Sequence, residues 1–384
     1  MGIAKDFAPC IPLFPSPVTT SIVLGCFGNL TPVSLIAPVV AALPILCPNL
    51  QRIGLHLMPR GPLITDAVLE MLLTINQTIL QNFNADLPLT EGAGEVICKL
   101  PNLRELQMDI GGSNSLPTLV LPNLTKIEIN YDHDHGWLQA FRGATLEKLT
   151  SITFYCRSRP TGDFLEAFES VTLTTPVPAT LSEFTFFTSH LWRPNCRSLL
   201  PFTQLKKLSI ELCCRSPQHG CPSAIDDDII TDLARAMPKL EVLILRENSC
   251  ITSTGVTTRG LAALACYCPN LSLLLIHFQA ASLDPSEIPW ATPGSQSIIP
   301  REDCALTNLH VSGIPLPEGS ISAVAQTLLL IFPHLNEILH CFQQNWQKVE
   351  KAIGDFKSLA DRSGEKYTFA TPRSKVDTPL RIHT

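Results

Sequence analysis

The sequence predicts an α/β solenoid, in which short repeated strands form a parallel sheet on the concave side of a horseshoe and helices and loops fill the convex side. Three observations predict it. A Pro-Asn-Leu corner recurs as "CPNLQRIGLHL" (47–57), "LPNLRELQMDI" (100–110), "LPNLTKIEINY" (121–131) and "CPNLSLLLIHF" (268–278). Each corner leads into Leu-x-x-apolar-x-apolar, whose last two apolar residues share one face of a strand because side chains alternate with a period of two. The spacing between anchor leucines leaves room for one strand plus a helix or loop, and such a unit buries its apolar face only by stacking on a neighbour.

Taken in order, residues 1–32 form a proline-rich N-terminal segment. No charged side chain occurs between 7 and 51, yet the longest proline-free window there, 18–31, falls short of the ~20 residues that span a bilayer. Lys5 is followed at once by Asp6, so no basic region leads into an apolar core as in a signal peptide. Asp6 also stands where myristoylation of Gly2 would want Ser or Thr. No membrane association is expected.

The repeat array is placed at 33–340. Its anchors and inward residues are Leu50/Ile53/Leu55, Leu103/Leu106/Met108, Leu124/Ile127/Ile129, Leu149/Ile152/Phe154, Leu181/Phe184/Phe186, Leu205/Leu208/Ile210, Leu240/Leu243/Leu245, Leu271/Leu274/Ile276 and Leu306/Leu309/Val311. Leu335/Ile338 begins a tenth that decays at His340. Successive anchors are 21 to 35 residues apart, except for a first gap of 53 that leaves room for a degenerate repeat around Leu80 and Phe83. Proline in the corner ends the preceding helix, and asparagine offers its amide to free backbone groups.

Helices are expected at 64–81, 162–171, 225–237, 253–266 and 319–331. Residues 341–362 read as a C-terminal capping helix, because Trp346, Val349, Ile353, Phe356 and Leu359 recur at helical spacing. The polar stretch 363–384 reads as a disordered tail.

From about residue 33 to 340 the chain resembles leucine-rich repeat proteins with long helical units. More narrowly, "DDDIITDLARAMPKLEVLILRENSC", "GLAALACYCPNLSLLLIHFQAASL" and "LLLIFPHLNEI" are similar to the repeats of F-box leucine-rich repeat proteins, especially the expanded set of mushroom-forming fungi. The resemblance implies the substrate-receptor part of an SCF-type ubiquitin ligase, with the SCF adaptor as a partner wherever an N-terminal F-box is present. Residues 1–32 are too short and proline-rich to read as that three-helix domain. The chain is then either a piece of a longer protein or a family member without the ligase connection.

Composition limits the function classes further. A formal net charge of −6 argues against nucleic acid as a partner. The fourteen cysteines follow no even framework, which favours small buried thiols in a reducing compartment, cytoplasmic or nuclear. No Gly-rich phosphate loop, nucleophile elbow, paired-metal set or HExxH motif occurs, so neither an enzyme nor a cofactor is expected.

Three polar clusters invite a ligand and are each explained without one. In "YDHDHGW", Asp132, His133, Asp134 and His135 find nothing nearby to complete a tetrahedral set, and a solvated turn is read. In "CCRSPQHGC", Cys213, Cys214, His219 and Cys221 lack the spaced pairs of a zinc knuckle. Asp226, Asp227 and Asp228 could grip a cation or a basic partner, but acids at a helix start are expected as caps.

A partner is expected on the concave face. The outward residues Glu105, Gln107, Asp109, Lys126, Glu128 and Asn130 are polar, as a solvated face should be. Later the same positions hold Val242, Ile244, Leu273 and Leu275, edged by Arg246 and His277, a contiguous apolar patch of the kind that marks an interaction site. The alternative is that the loop 281–304, with Ile288, Trp290, Ile298 and Ile299, folds back over them.

Overall fold

A computed structural model describes residues 16–26, 42–43, 45–57, 73, 78–88, 91–110, 117–131, 136–157, 164–173, 175, 177–188, 195–212, 225–247, 255–288, 304–311, 314, 316–340 and 344–363. It divides into two compact units, Met1–Gln204 and Leu205–Thr384. Both are open, all-parallel α/β arrangements of the leucine-rich repeat type.

The N-terminal unit holds β1 (Ser21–Cys26), β2 (Arg52–Leu57), β3 (Asn82–Pro88), β4 (Glu105–Ile110), β5 (Lys126–Tyr131), β6 (Ser151–Cys156) and β7 (Glu183–Thr188). Each pairs in parallel with the next in sequence. Strand β3 splits the long first gap, with Leu80, Phe83 and Ala85 buried as a complete repeat. Strand β1 lies within the stretch read as preceding the array and pairs residue for residue with β2. Its corner is Pro17-Val18-Thr19, so the leucine that marks the other corners is missing there.

Helices α1 (Glu91–Ile97), α2 (Phe164–Thr172) and α3 (Val177–Thr180) and a 3₁₀ turn at Gly136–Phe141 connect strands in this unit. Helix α2 buries Phe164, Leu165, Phe168 and Val171. Phe164 stacks on Tyr131 at 5.5 Å and meets Phe154 edge-on at 5.0 Å, while Phe168 stacks on Phe202 at 5.5 Å. Such offset and edge-on pairs add to the large area each ring buries.

The C-terminal unit holds β8 (Lys207–Leu212), β9 (Val242–Glu247), β10 (Leu273–Ile276), β11 (Asn308–His310) and β12 (Glu337–Leu339), again parallel in sequence order. Helices α4 (Asp227–Ala236), α5 (Thr258–Tyr267) and α6 (Ile321–Ile331) lie between them, close to the expected spans. Helix α4 shows why they form: Ile230, Leu233 and Ala234 recur at three and four residues and are buried, with Asp232 and Arg235 between them.

Helix α7 (Gln344–Ser363) packs on α6 and β12. Trp346, Val349 and Ile353 are buried, Phe356 is half-buried, and Leu359 is exposed because the helix by then has outrun the strands it covers. The Trp346 Nε1 donates to Ile314 O at 2.9 Å, and Glu350 Oε1 accepts from the Ile338 N–H of β12 at 3.4 Å. A strand edge that would otherwise offer a free donor is thus occupied. Among the described residues no helix is long and apolar enough to cross a membrane.

Within each unit the corners share one construction. The residue after an anchor presents one carbonyl that accepts two N–H groups of the next corner of the same unit: Arg104 O from Thr125 and Lys126, and Glu241 O from Ser272 and Leu273. The asparagine amide acts as expected, since Asn49 Nδ2 donates to Pro17 O, Asn102 Nδ2 to Thr78 O and Asn123 Nδ2 to Pro101 O, each the equivalent carbonyl one unit earlier. The anchors Leu50, Leu80, Leu103, Leu124, Leu149, Leu181, Leu205, Leu240, Leu271, Leu306 and Leu335 are all buried beneath them. The expected helix 64–81 is too long at its C-terminal end, because 78–81 form a turn and the corner that leads into β3; apart from those residues and Leu73 it lies outside the described residues, as does nearly all of the tail at 363–384.

Candidate functional site

In the C-terminal unit the register decides which outward side chains meet. Leu273 pairs with Val242 and Leu275 with Ile244, so the four aliphatic residues occupy adjacent strands, which lie ~4.8 Å apart. All four are half-buried, whereas the alternating residues Leu243, Leu245, Leu274 and Ile276 are buried on the helix side. Arg246 is exposed at one end and lies 3.8 Å from Glu211 of β8. His277, half-buried, follows β10 directly.

The row does not stop at β10. Leu275 is in register with His310, and His310 with Leu339, which is 37% exposed. His310 therefore interrupts an otherwise apolar row, with its Nδ1 buried and without a partner among the described residues. Burial, reinforced by the nearby Arg246 guanidinium, lowers its pKa. Sequence reasoning missed this histidine because β11 was read only for its inward residues; its outward position was open to the same count.

The start of the loop 281–304 does not lie over the patch. Residues 280–282 and 285–287 form short 3₁₀ turns, the Asp284 N–H donates to Thr258 Oγ1 at 3.0 Å, and the second turn packs against α5 and α6. Ile288 is buried with them. Residues 289–303, with Trp290, Ile298 and Ile299, lie outside the described residues.

Each of the three aspartates has a separate structural role. Asp226 caps α4 through Ile229 N at 2.9 Å. Asp227 reaches the next helix, accepting from Thr257 N at 2.8 Å, Thr257 Oγ1 at 2.6 Å and Gly260 N at 2.9 Å at the start of α5. Asp228 pairs with Arg259 at 3.3 Å. The histidine cluster 132–135 and the cysteine cluster 213–221 lie outside the described residues, among which no three His, Cys, Asp or Glu side chains converge as a metal site. Cys47, Cys98, Cys156, Cys196, Cys268 and Cys304 are buried thiols outside any disulfide, and Cys266 is a half-buried one.

The outward face of the N-terminal unit is polar but not uniformly solvated. Asp109, expected in solvent, is buried and paired with Arg157 at 2.6 Å. In the β3–β4 pair, Pro88 stands in register with Asp109 across a shift between Ala85 and Pro88. His56 Nδ1 lies 2.7 Å from Asp86 Oδ2. Between β3, β4 and β5 is a recess of about 80 Å³ lined by Asn82, Asn84, Glu105, Gln107, Lys126 and Glu128 over Phe83 and Leu106. Tyr155 and Phe187 form a tilted pair at 6.0 Å on β6 and β7, with Tyr155 37% exposed.

No protein-family model and no curated protein matches this chain.

Proposed function

We propose that the chain is a non-catalytic recognition module that binds a protein partner on the outward face of β9 and β10. The single observation that carries this reading is the register of Val242, Ile244, Leu273 and Leu275, four half-exposed aliphatic side chains brought together on two adjacent strands. Arg246 and His277 supply a polar rim to an apolar centre, the composition of most protein interfaces. A non-catalytic reading is favoured because the outward residues of β9 and β10 include no nucleophile paired with a base.

The test is the double substitution Ile244→Asp with Leu273→Asp, compared with wild type in affinity capture from cells. Loss of the captured partners with unchanged far-ultraviolet dichroism and melting supports the site. Normal folding with every partner retained refutes it, and unfolding of the C-terminal unit assigns the patch to a covering segment.

Within this class, the repeat phrases favour the substrate receptor of an SCF-type ubiquitin ligase in the cytoplasm or nucleus; the alternative is a stand-alone scaffold with no ubiquitin transfer. Co-purification of the SCF adaptor with the endogenous protein distinguishes them: its presence supports the ligase reading and its absence favours the scaffold.

A further inference from the structure

We propose that the recess on the outward face of β3, β4 and β5 receives the ammonium group of a lysine side chain presented by a polypeptide partner. This goes beyond the apolar patch and does not depend on it, because every lining residue belongs to the N-terminal unit.

Several polar atoms of the recess have no partner among the described residues. The Asn84 Oδ1 is buried without a donor. Glu105 and Glu128 make no side-chain hydrogen bond or ion pair among the described residues, and Lys126, the resident cation, lies within pairing distance of neither. Asp86 beside them is already engaged by His56 and, at 3.5 Å, by Gln107 Nε2. Burial raises the proton affinity of the Glu128 carboxyl, Lys126 opposes the shift only in part, and Asp86 adds to it. A half-buried carboxylate in that state is stabilised by an added cation.

The size of the recess limits what can enter it. Pockets that enclose a whole small ligand run from about 300 to 1,000 Å³. A recess of about 80 Å³ holds only the tip of a side chain. The rest of the binding surface must be the strand face around it, where Tyr155 offers exposed aromatic area beside the half-buried Phe187.

The arrangement of acceptors selects among cationic side chains. Register places Asn84, Gln107 and Glu128 in one row and Asn82, Glu105 and Lys126 in the next. The acceptors thus come from three successive strands ~4.8 Å apart. Lysine brings a compact charge with three donors that can point to different strands, whereas arginine brings a planar fork suited to one carboxylate.

The full chain is titrated with Nα-acetyl-lysine-methylamide while backbone and side-chain amide resonances are followed by nuclear magnetic resonance. Saturable shifts centred on β3–β5 are expected, and none with Nα-acetyl-norleucine-methylamide, which keeps the stem and lacks the ammonium. Glu128→Gln should weaken binding about tenfold, as for one lost charge-assisted hydrogen bond. Lys126→Gln, removing the competing cation, should strengthen it. Equal shifts with the norleucine probe, an unaffected Glu128→Gln that melts like wild type, or shifts produced by calcium chloride and not by the lysine probe would overturn the proposal.

Discussion

Removing the Asp227 carboxylate tests how neighbouring helices are held in register. It accepts three hydrogen bonds from the first turn of α5, two of them from backbone N–H groups that have no intrahelical acceptor there. Asp227→Ala orphans both, and with partial exposure the loss should be about 2–4 kcal/mol. Gly260 sharpens the test, because a methyl group there would fall on Asp227 Oδ1 and also approach Val256 Cγ1 at 3.2 Å. In an ordinary helix Gly→Ala gains about 1 kcal/mol. Here Gly260→Ala alone should destabilise by expelling the carboxylate, yet be near neutral once Asp227→Ala has vacated the space. Urea unfolding of wild type, both single variants and the double variant gives the coupling, expected above about 2 kcal/mol. Additive losses within about 0.5 kcal/mol would refute the argument.

Trp346→Ala should cost about 3–5 kcal/mol, since it empties a buried site, loses the edge-on contact with Phe278 at 6.0 Å and orphans Ile314 O; a melting point within a degree of wild type would contradict the capping role of α7. His310 binds a proton less readily folded than unfolded, so stability should fall as pH drops from about 7 to about 5.5, through the unfolded pKa, with the unfolded chain taking up more protons. His310→Gln should flatten that fall, and an unchanged slope across the window would count against it. Burial pushes the thiols of Cys98 and Cys268 up to about 12, so iodoacetamide at pH 8 should leave both unmodified until urea unfolds the chain. Mass spectrometry showing them alkylated at the unfolded rate would mean that they are not buried.

The corner made most of the fold legible, because its signal combines two physical requirements: a leucine that must be buried and a strand whose inward positions alternate. Where one requirement lapsed, the element was harder to find. Thr19 replaces the anchor before β1, and Thr78-Ile79-Leu80 keeps the leucine of its corner but not the proline and asparagine. The helices expected at 162–171, 225–237, 253–266 and 319–331 match α2, α4, α5 and α6 to within a few residues, since caps such as Asp226 and Thr257 stand next to a buried periodicity, whereas the one expected at 64–81 runs too far, into the corner before β3. Outward residues were legible as a list but not as neighbours. Asp109 reads as a solvated charge until the reach of Arg157 is known, and His310 acquires meaning only when register sets it between Leu275 and Leu339. Asp227 was read as a cap on its own helix, and nothing local in the sequence says that its carboxylate serves the next one.

The doubly accepting carbonyl at each corner bears on how such a chain can change length. Alignment of one strand with the next is indexed at the corner, by bonds such as those from Thr125 and Lys126 to Arg104 O, before any helix intervenes. Extra residues inserted between a strand and the following corner leave that index untouched, which is why spacings from 21 to 35 residues coexist in one array. A single residue inserted between an anchor leucine and its strand would instead turn every inward side chain outward. Growth of this protein is therefore cheap on one side of the corner and forbidden on the other, so its outward surface can stay in step while the segments behind it drift.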